Sequence, residues 1–302
     1  MKNIKFYYKL IKQGSKKGQL NTRKKKIRFS LRTMIFYPWM TELTDFIRNH
    51  DYLSARVFEY PILMSKIHRP YLSNSFKVGE KIKTIKDSYR FIDKYLSPGM
   101  RERLYTDGKI KIGEIRGNKE EVFEINLALY PHYDKEGEFN LILTNSDKVV
   151  LSTLTFSLQK VKDGFRIFVG GLQGAGRNVD HNIIKAATKS MYGIFPKKVV
   201  MESLYFLEKT LDMEIEKVCV GNAQHVYGAK RYKRKRTIHS SYDEFWESLN
   251  GKILNSGLWL LPKKLERKDI LEVASKKRGQ YRKKYNLLDQ LEGSILNTVK
   301  GV

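Results

Sequence analysis

Cysteine is almost missing from this chain: Cys219 is the single one in 302 residues, so no internal disulfide can form. Its setting, Val218-Cys219-Val220, reads as a buried small hydrophobe rather than a nucleophile. Long apolar runs are missing as well. No stretch approaches the roughly 18 uncharged apolar residues that a membrane-spanning helix needs. The start is basic, but Lys5, Lys9 and Lys12 interrupt any signal-peptide core, so the chain is expected to stay in the cytoplasm. No His/Cys/Asp/Glu group has the spacing of an HExxH or CxxC motif, and no metal site is expected. The scarcest class is acidic: 32 Asp+Glu stand against 58 Lys+Arg, a net charge of +26. Such a field attracts polyanions, whether nucleic acid, anionic lipid headgroups or phosphorylated ligands.

What is present is globular. A hydrophobic content of 41% and an aromatic content of 12% rule out disorder for the body of the chain. Residues 1–32 carry no acidic side chain. Within them Ile4, Tyr7, Tyr8 and Ile11 fall on one helical face beside Lys5, Lys9, Lys12 and Lys16. This pattern suits a helix lying on an anionic membrane surface, or equally a helix packed on the body with its lysines in water. Residues 14–26 read as a basic loop. We therefore divide the chain into a basic N-terminal extension, residues 1–30, and a main domain, residues 31–302.

From Leu31 to Met100 the spacing is helical: Leu43, Phe46 and Ile47, then Ile85, Tyr89, Ile92 and Leu96, stopped by Ser97-Pro98-Gly99. The period then becomes two. Phe123-Ile125-Leu127-Leu129, Phe139-Leu141-Leu143, Val150 to Phe156 and Phe165 to Gly170 predict an antiparallel meander of four strands, with turns at residues 134–137, 145–147 and 162–164. Two helices follow, over residues 180–192 and from Pro196, then a short strand at residues 215–221. An aromatic segment at residues 242–246, a strand near Leu258 to Leu261 and a helix from about Asp269 complete the chain. The fold class is α/β (α+β): a central, mainly antiparallel mixed sheet flanked by helices, with a helical N-terminal region.

Three segments of the second half carry a family resemblance: Phe168-Val169-Gly170-Gly171-Leu172-Gln173-Gly174, Tyr242-Asp243-Glu244-Phe245-Trp246, and Ser275-Lys276-Lys277-Arg278-Gly279-Gln280-Tyr281-Arg282-Lys283-Lys284-Tyr285. In this order, with Val218-Cys219-Val220-Gly221-Asn222 and His225, they resemble the VirK/YbjX family of Gram-negative bacteria. The resemblance spans residues 31–289. It implies a virulence-associated or envelope-stress role in resistance to cationic antimicrobial peptides, and it brings no catalytic residues. Together with the charge, it suggests a peripheral protein acting at the inner face of the membrane on anionic lipid or a lipopolysaccharide precursor.

Gly170-Gly171-Leu172-Gln173-Gly174-Ala175-Gly176-Arg177 joins a predicted strand to a predicted helix. Free N–H groups and the helix dipole can hold phosphate there. Gly171, Gln173, Gly174, Gly176 and Arg177 are the candidate cofactor-binding residues. No Gly-Lys-Ser/Thr follows, so this is not a P-loop. The segment loosely resembles the pyrophosphate loop of GNAT-type acyltransferases, Gln/Arg-x-x-Gly-x-Gly/Ala: Gln173 and Gly176 fit, and Asn178 departs at the last small position. The element order is also similar, with one additional helix. This likeness implies an acyl-CoA or another phosphate-bearing donor; the competing reading is a turn that only reverses the chain. His181, His225 and Asn222 are the catalytic candidates, with either histidine as a general base. Nucleic-acid binding is a third class. Residues 230–236, with Tyr232, and residues 276–285 interleave cations with tyrosine, although Tyr281, Tyr285 and Leu288 also space as an apolar helix seam.

Overall fold

The computed structural model describes residues 3–16, 20–129, 133–228 and 242–301; the basic segment 230–236 lies outside them, as do Lys17 and Gly18. The N-terminal region is helical as expected: α1 (Ile4–Lys16), α2 (Arg23–Ile35), α3 (Tyr37–Arg48), α4 (Leu53–Arg56), a 3-10 segment (Pro61–His68), α5 (Val78–Tyr95) and α6 (Pro98–Asp107). Each long helix is seated by a 3–4 spaced stripe. Met40, Leu43 and Ile47 of α3 are buried, as are Ile82, Ile85, Tyr89 and Ile92 of α5. Glu80 accepts the Lys77 N–H at 2.7 Å and so caps α5. Pro98 opens α6, and Gly108 ends it with φ 73°.

The sheet follows, with β1 (Lys109–Arg116), β2 (Val122–Ala128), β3 (Phe139–Thr144), β4 (Val150–Val161) and β5 (Gly164–Gly174). Then come α7 (His181–Ser190), α8 (Pro196–Lys209), β6 (Glu216–Val220), α9 (Tyr242–Glu247), β7 (Lys252–Ile253), β8 (Leu258–Leu260) and α10 (Ser275–Lys300). Eight strands form one open mixed sheet in the order β1-β2-β3-β4-β5-β6-β8-β7. Every described pairing is antiparallel except β5–β6. The meander thus has five strands rather than the four expected. β1 alternates only over Lys109-Ile110-Lys111-Ile112, before a register shift at Gly113 breaks the period.

Cross-strand partners share a face, which assigns the layers. Gly113, Ile125, Leu143, Ser152 and Gly174 form one row across β1–β5. A Cβ at Gly113 would lie 2.7 Å from Ile295 of α10, and one at Gly174 would meet Lys197 of α8. Helices α8 and α10 therefore cover this face. The other face carries α5: Ser88 bonds both the Leu158 N–H (2.9 Å) and carbonyl (3.1 Å), and Tyr89 reaches over the sheet. The helix expected from Asp269 begins only at Ser275. On it Leu288 is buried and Tyr285 packs against the core.

The N-terminal helix packs on the body, the second of its two expected roles. Of Ile4, Tyr7, Tyr8 and Ile11, only Tyr7 is buried, together with Leu10, and its hydroxyl bonds Thr44 Oγ1 at 3.0 Å. Ile4 and Tyr8 are exposed. The apolar side of α1 is spent on the body. Residues 23–26, expected in a loop, form the first turn of α2, whose cap Thr22 accepts the Lys25 N–H.

Candidate functional site

Strand β5 has two unlike halves. Arg166 to Val169 pair with β4 on one side and with β6, in parallel, on the other. The β5–β6 ladder stops at Val169↔Cys219. Beyond it β5 stays with β4 as far as Gly174, and β6 stays with β8 through Val220↔Leu258. The parallel pairing ends there. Gly170 is the extra residue of a bulge, since Phe156 pairs with Val169 while Thr155 pairs with Gly171.

The β2–β3 connection crosses this bulge. A Cβ on Gly170 would collide with the Glu136 carbonyl, and one on Gly171 with Glu136 Oε2. The two glycines are thus required by a close approach of backbone and carboxylate. Gly137 is held against Phe156 in the same way. The Glu138 N–H donates to the Phe156 carbonyl at 3.0 Å and to Ser157 Oγ at 3.0 Å.

Glu136 and Glu138 are both fully buried. Glu138 is saturated: it accepts from Lys66 Nζ at 2.7 Å, from the Tyr89 hydroxyl at 2.7 Å and, in a short contact, from the Tyr71 hydroxyl. Glu136 is not. Its Oε2 accepts a long bond from Gln173 Nε2, 3.3 Å. Its Oε1 faces His225 Nε2 at 3.4 Å, and neither of those two atoms has a hydrogen-bond partner. His225 Nδ1 accepts the Tyr227 N–H at 3.4 Å, so in the neutral ring the proton sits on Nε2, aimed at the carboxylate.

Tyr242 closes the cluster. Its ring stacks on His225 with centroids 5.0 Å apart. Its hydroxyl accepts from Gln173 Nε2 at 2.6 Å. Burial first, and then the nearby Glu136 charge, pushes the phenol well above its ordinary pKa. It therefore stays protonated and able to donate. Asn222 fixes its backbone: Oδ1 accepts the Tyr242 N–H at 3.0 Å, while the Asn222 N–H donates to Asp243 Oδ1 at 3.0 Å. The same carboxylate oxygen accepts from Trp259 Nε1 at 2.9 Å. A Cβ on Gly221 would sit 2.5 Å from it.

The sequence candidates separate accordingly. Gln173, Asn222 and His225 come together around Tyr242, and Asn222 positions Tyr242. Gly171 and Gly174 lie inside β5, not in the expected loop, which shrinks to residues 175–180. Gly176 and Arg177 are exposed there. A Cβ on Gly174 would come 3.8 Å from Lys197 Cε, and burial lowers the pKa of that lysine. Asp180 caps α7 by accepting the Asn182 N–H at 2.8 Å, so its carboxylate occupies a donor that phosphate would have used. His181 is exposed at the first position of α7, and among the described residues no hydrogen bond or ion pair joins it to His225. Burial raises the Cys219 thiol well above its ordinary pKa, in keeping with an unreactive core residue. Among the described residues no group of three His, Cys, Asp or Glu is placed to hold a metal ion, and no helix is long and apolar enough to cross a membrane.

Sequence reasoning missed Glu136, because an acidic residue between Asp134 and Gly137 reads as a solvated turn. The signal that could have found it was the pair Gly170-Gly171 inside a strand, which calls for a close neighbour.

Fold and site together define an α/β protein in which, among the described residues, the one parallel strand pair ends beside a buried carboxylate and imidazole. The chain belongs to the DUF535 family, described as a protein of unknown function; the family profile matches residues 18–297. It is 30% identical over 279 residues to the uncharacterized protein YbjX of Escherichia coli (strain K12), covering 91% of this chain and 83% of that one. The expected VirK/YbjX membership is thereby borne out, over a longer span than residues 31–289. Two uncharacterized proteins of Haemophilus influenzae are also similar. One is 24% identical over 263 residues, with 84% of this chain and 85% of the relative covered; the other is 22% identical over 269 residues, with 87% and 85% covered. No solved structure matches the chain.

Proposed function

We propose that the place where the β5–β6 pairing ends is the reaction centre of an acyltransferase that uses an acyl-CoA or another phosphate-bearing thioester. The observation that carries this reading is the buried pair of Glu136 Oε1 and His225 Nε2, which face each other at 3.4 Å without a hydrogen-bond partner, beside a protonated Tyr242. Unsatisfied buried polar atoms are costly and call for an explanation, of which a reacting partner is one. The GNAT-like order of elements, with a single parallel pair after the meander, also supports it.

In this scheme Glu136 accepts the proton of an acceptor amine or hydroxyl while its lone pair attacks the acyl carbon. The carbon–sulfur bond then breaks, and Tyr242 gives its proton to the departing thiolate. Proton return from Glu136 to Tyr242 restores both groups. Gln173 donates to both side chains and sets their spacing. In this reading the donor phosphates lie toward Arg177, exposed in the 175–180 loop, and Lys197, whose Cε lies 3.8 Å from a Cβ built on Gly174. Asn178 departs from the acyltransferase pattern, and because Asp180 already caps α7, the reading relies on side-chain cations for the phosphates more than on the helix dipole.

Thermal melting with a panel of CoA esters, nucleotides and lipid phosphates tests the donor. A ligand held well below its concentration must raise Tm. We expect a CoA ester to do so; a panel in which nothing shifts Tm removes the transferase reading.

A second reading is peripheral action on anionic membrane components at the inner face, in the envelope-stress and peptide-resistance setting that the family resemblance suggests. It is favoured by the +26 charge and by its distribution: the first acidic residue is Glu42, after twelve Lys and Arg. Sedimentation of the full chain with anionic and with neutral vesicles tests it.

A further inference from the structure

Helix α2 is built the opposite way from α1. Phe29 and Thr33 are its buried residues, and Phe29 meets His68 edge-on at 5.3 Å. At 100° per residue, Ile27, Leu31, Met34 and Ile35 project from the opposite side. All four are exposed, Met34 at 72% and Ile35 at 69%. Tyr37 and Trp39, at the start of α3 directly after α2, are exposed as well. Arg23, Lys24 and Arg28 are exposed on the same helix, and α2 carries no acidic residue. Monomeric proteins rarely leave a continuous apolar stripe in water, and such a stripe marks a contact surface.

We propose that this stripe is the face by which the protein lies on an anionic lipid bilayer, with Leu31, Met34 and Ile35 entering the headgroup boundary. The occupant follows from the chemistry. An apolar line bordered by Arg and Lys, with aromatic residues at its end, matches an acyl boundary roofed by phosphates. A protein partner would have to bring both a hydrophobic groove and a rim of carboxylates. The proposal rests on the second reading only in taking the membrane as partner, and it is independent of the transferase reading.

The test uses the full chain and vesicles of phosphatidylcholine with or without phosphatidylglycerol. The double variant Met34→Glu/Ile35→Glu changes only exposed side chains, so its Tm should match wild type. Ile253→Glu/Leu271→Glu adds the same charge at two other exposed apolar residues and serves as the matched control. Wild type should sediment with the anionic vesicles, less so in high salt. The α2 variant should bind about tenfold or more weakly, while the control binds like wild type. If wild type binds neither vesicle, the membrane reading and this inference fall together. If wild type binds but the α2 variant binds equally, or the control loses as much, the reading stands and the inference about α2 is wrong. A dimer that the α2 variant dissolves, without vesicle binding by wild type, would assign the stripe to a second copy instead.

Discussion

On the two sides of Gly137 the chain buries two glutamates to the same depth and treats them in opposite ways. Glu138 receives an ammonium and two phenols, whereas Glu136 receives one long amide bond and faces an imidazole that has no other partner on that nitrogen. The first arrangement is what a stable interior requires of a charge: the desolvation cost is offset by hydrogen bonds that fix the groups around it. The second leaves that cost uncovered. The contrast teaches that burial alone does not mark a site; burial with bonding capacity left over does.

The largest effect should come from breaking the saturated side. Lys66→Met leaves Glu138 charged and buried with only the two tyrosines, and should lower unfolding stability by about 3–5 kcal/mol in denaturant titrations. A loss below about 1 kcal/mol would mean that the tyrosines suffice.

A third buried polar group sharpens the comparison. His68 is enclosed by Phe29 and Phe36, and its Nε2 has no partner. Burial, with the Arg32, Arg69 and Lys81 charges, lowers its pKa to about 4. The unfolded chain, with a histidine pKa of about 6.5, binds more protons between these values, so stability is full above pH 6.5 and is lost as pH falls toward 4. The loss should approach about 3 kcal/mol near pH 4, and His68→Leu should flatten that part of the curve. An unchanged slope in His68→Leu would place the titrating group elsewhere.

Gly171→Ala comes next. Its methyl would lie 1.9 Å from Glu136 Oε2, so that buried side chain must turn away or the loop that carries it must move, at a cost of about 1–3 kcal/mol. Melting should show the loss, and any CoA-ester shift of Tm should shrink with it. A variant as stable as wild type would show that the loop yields freely.

These cases also show what was legible in advance. The stripe of α5, the proline that opens α8 and the alternation of β2 to β4 carry their structure locally, and each was readable. β1 was not, because its bulge at Gly113 makes room for Ile295, 182 residues further along the chain. Which basic helix turns its apolar side inward is likewise a matter of neighbours. Tyr7 found Thr44, while Met34 found nothing. At the site, Gln173, His225 and Asn222 could be picked out by type and position. Glu136 could not be picked out from its own neighbours, because its burial depends on two glycines more than thirty residues away, and they were the only trace of it in the sequence.

The smallest effect on stability should belong to Glu136→Gln, which removes a poorly bonded charge while keeping the shape. That makes it the most direct test of the claim that this side of Gly137 is a reaction centre. The measurement is release of free CoA thiol from the ester that shifts Tm, by wild type and by Glu136→Gln, with the melting temperature of each. The account predicts a Tm within a few degrees of wild type, and thiol release reduced by about 10²-fold or more, the usual contribution of a general base. Wild-type rates in Glu136→Gln, or a collapse of its Tm like that of Lys66→Met, would contradict it and make Glu136 a structural residue like its neighbour.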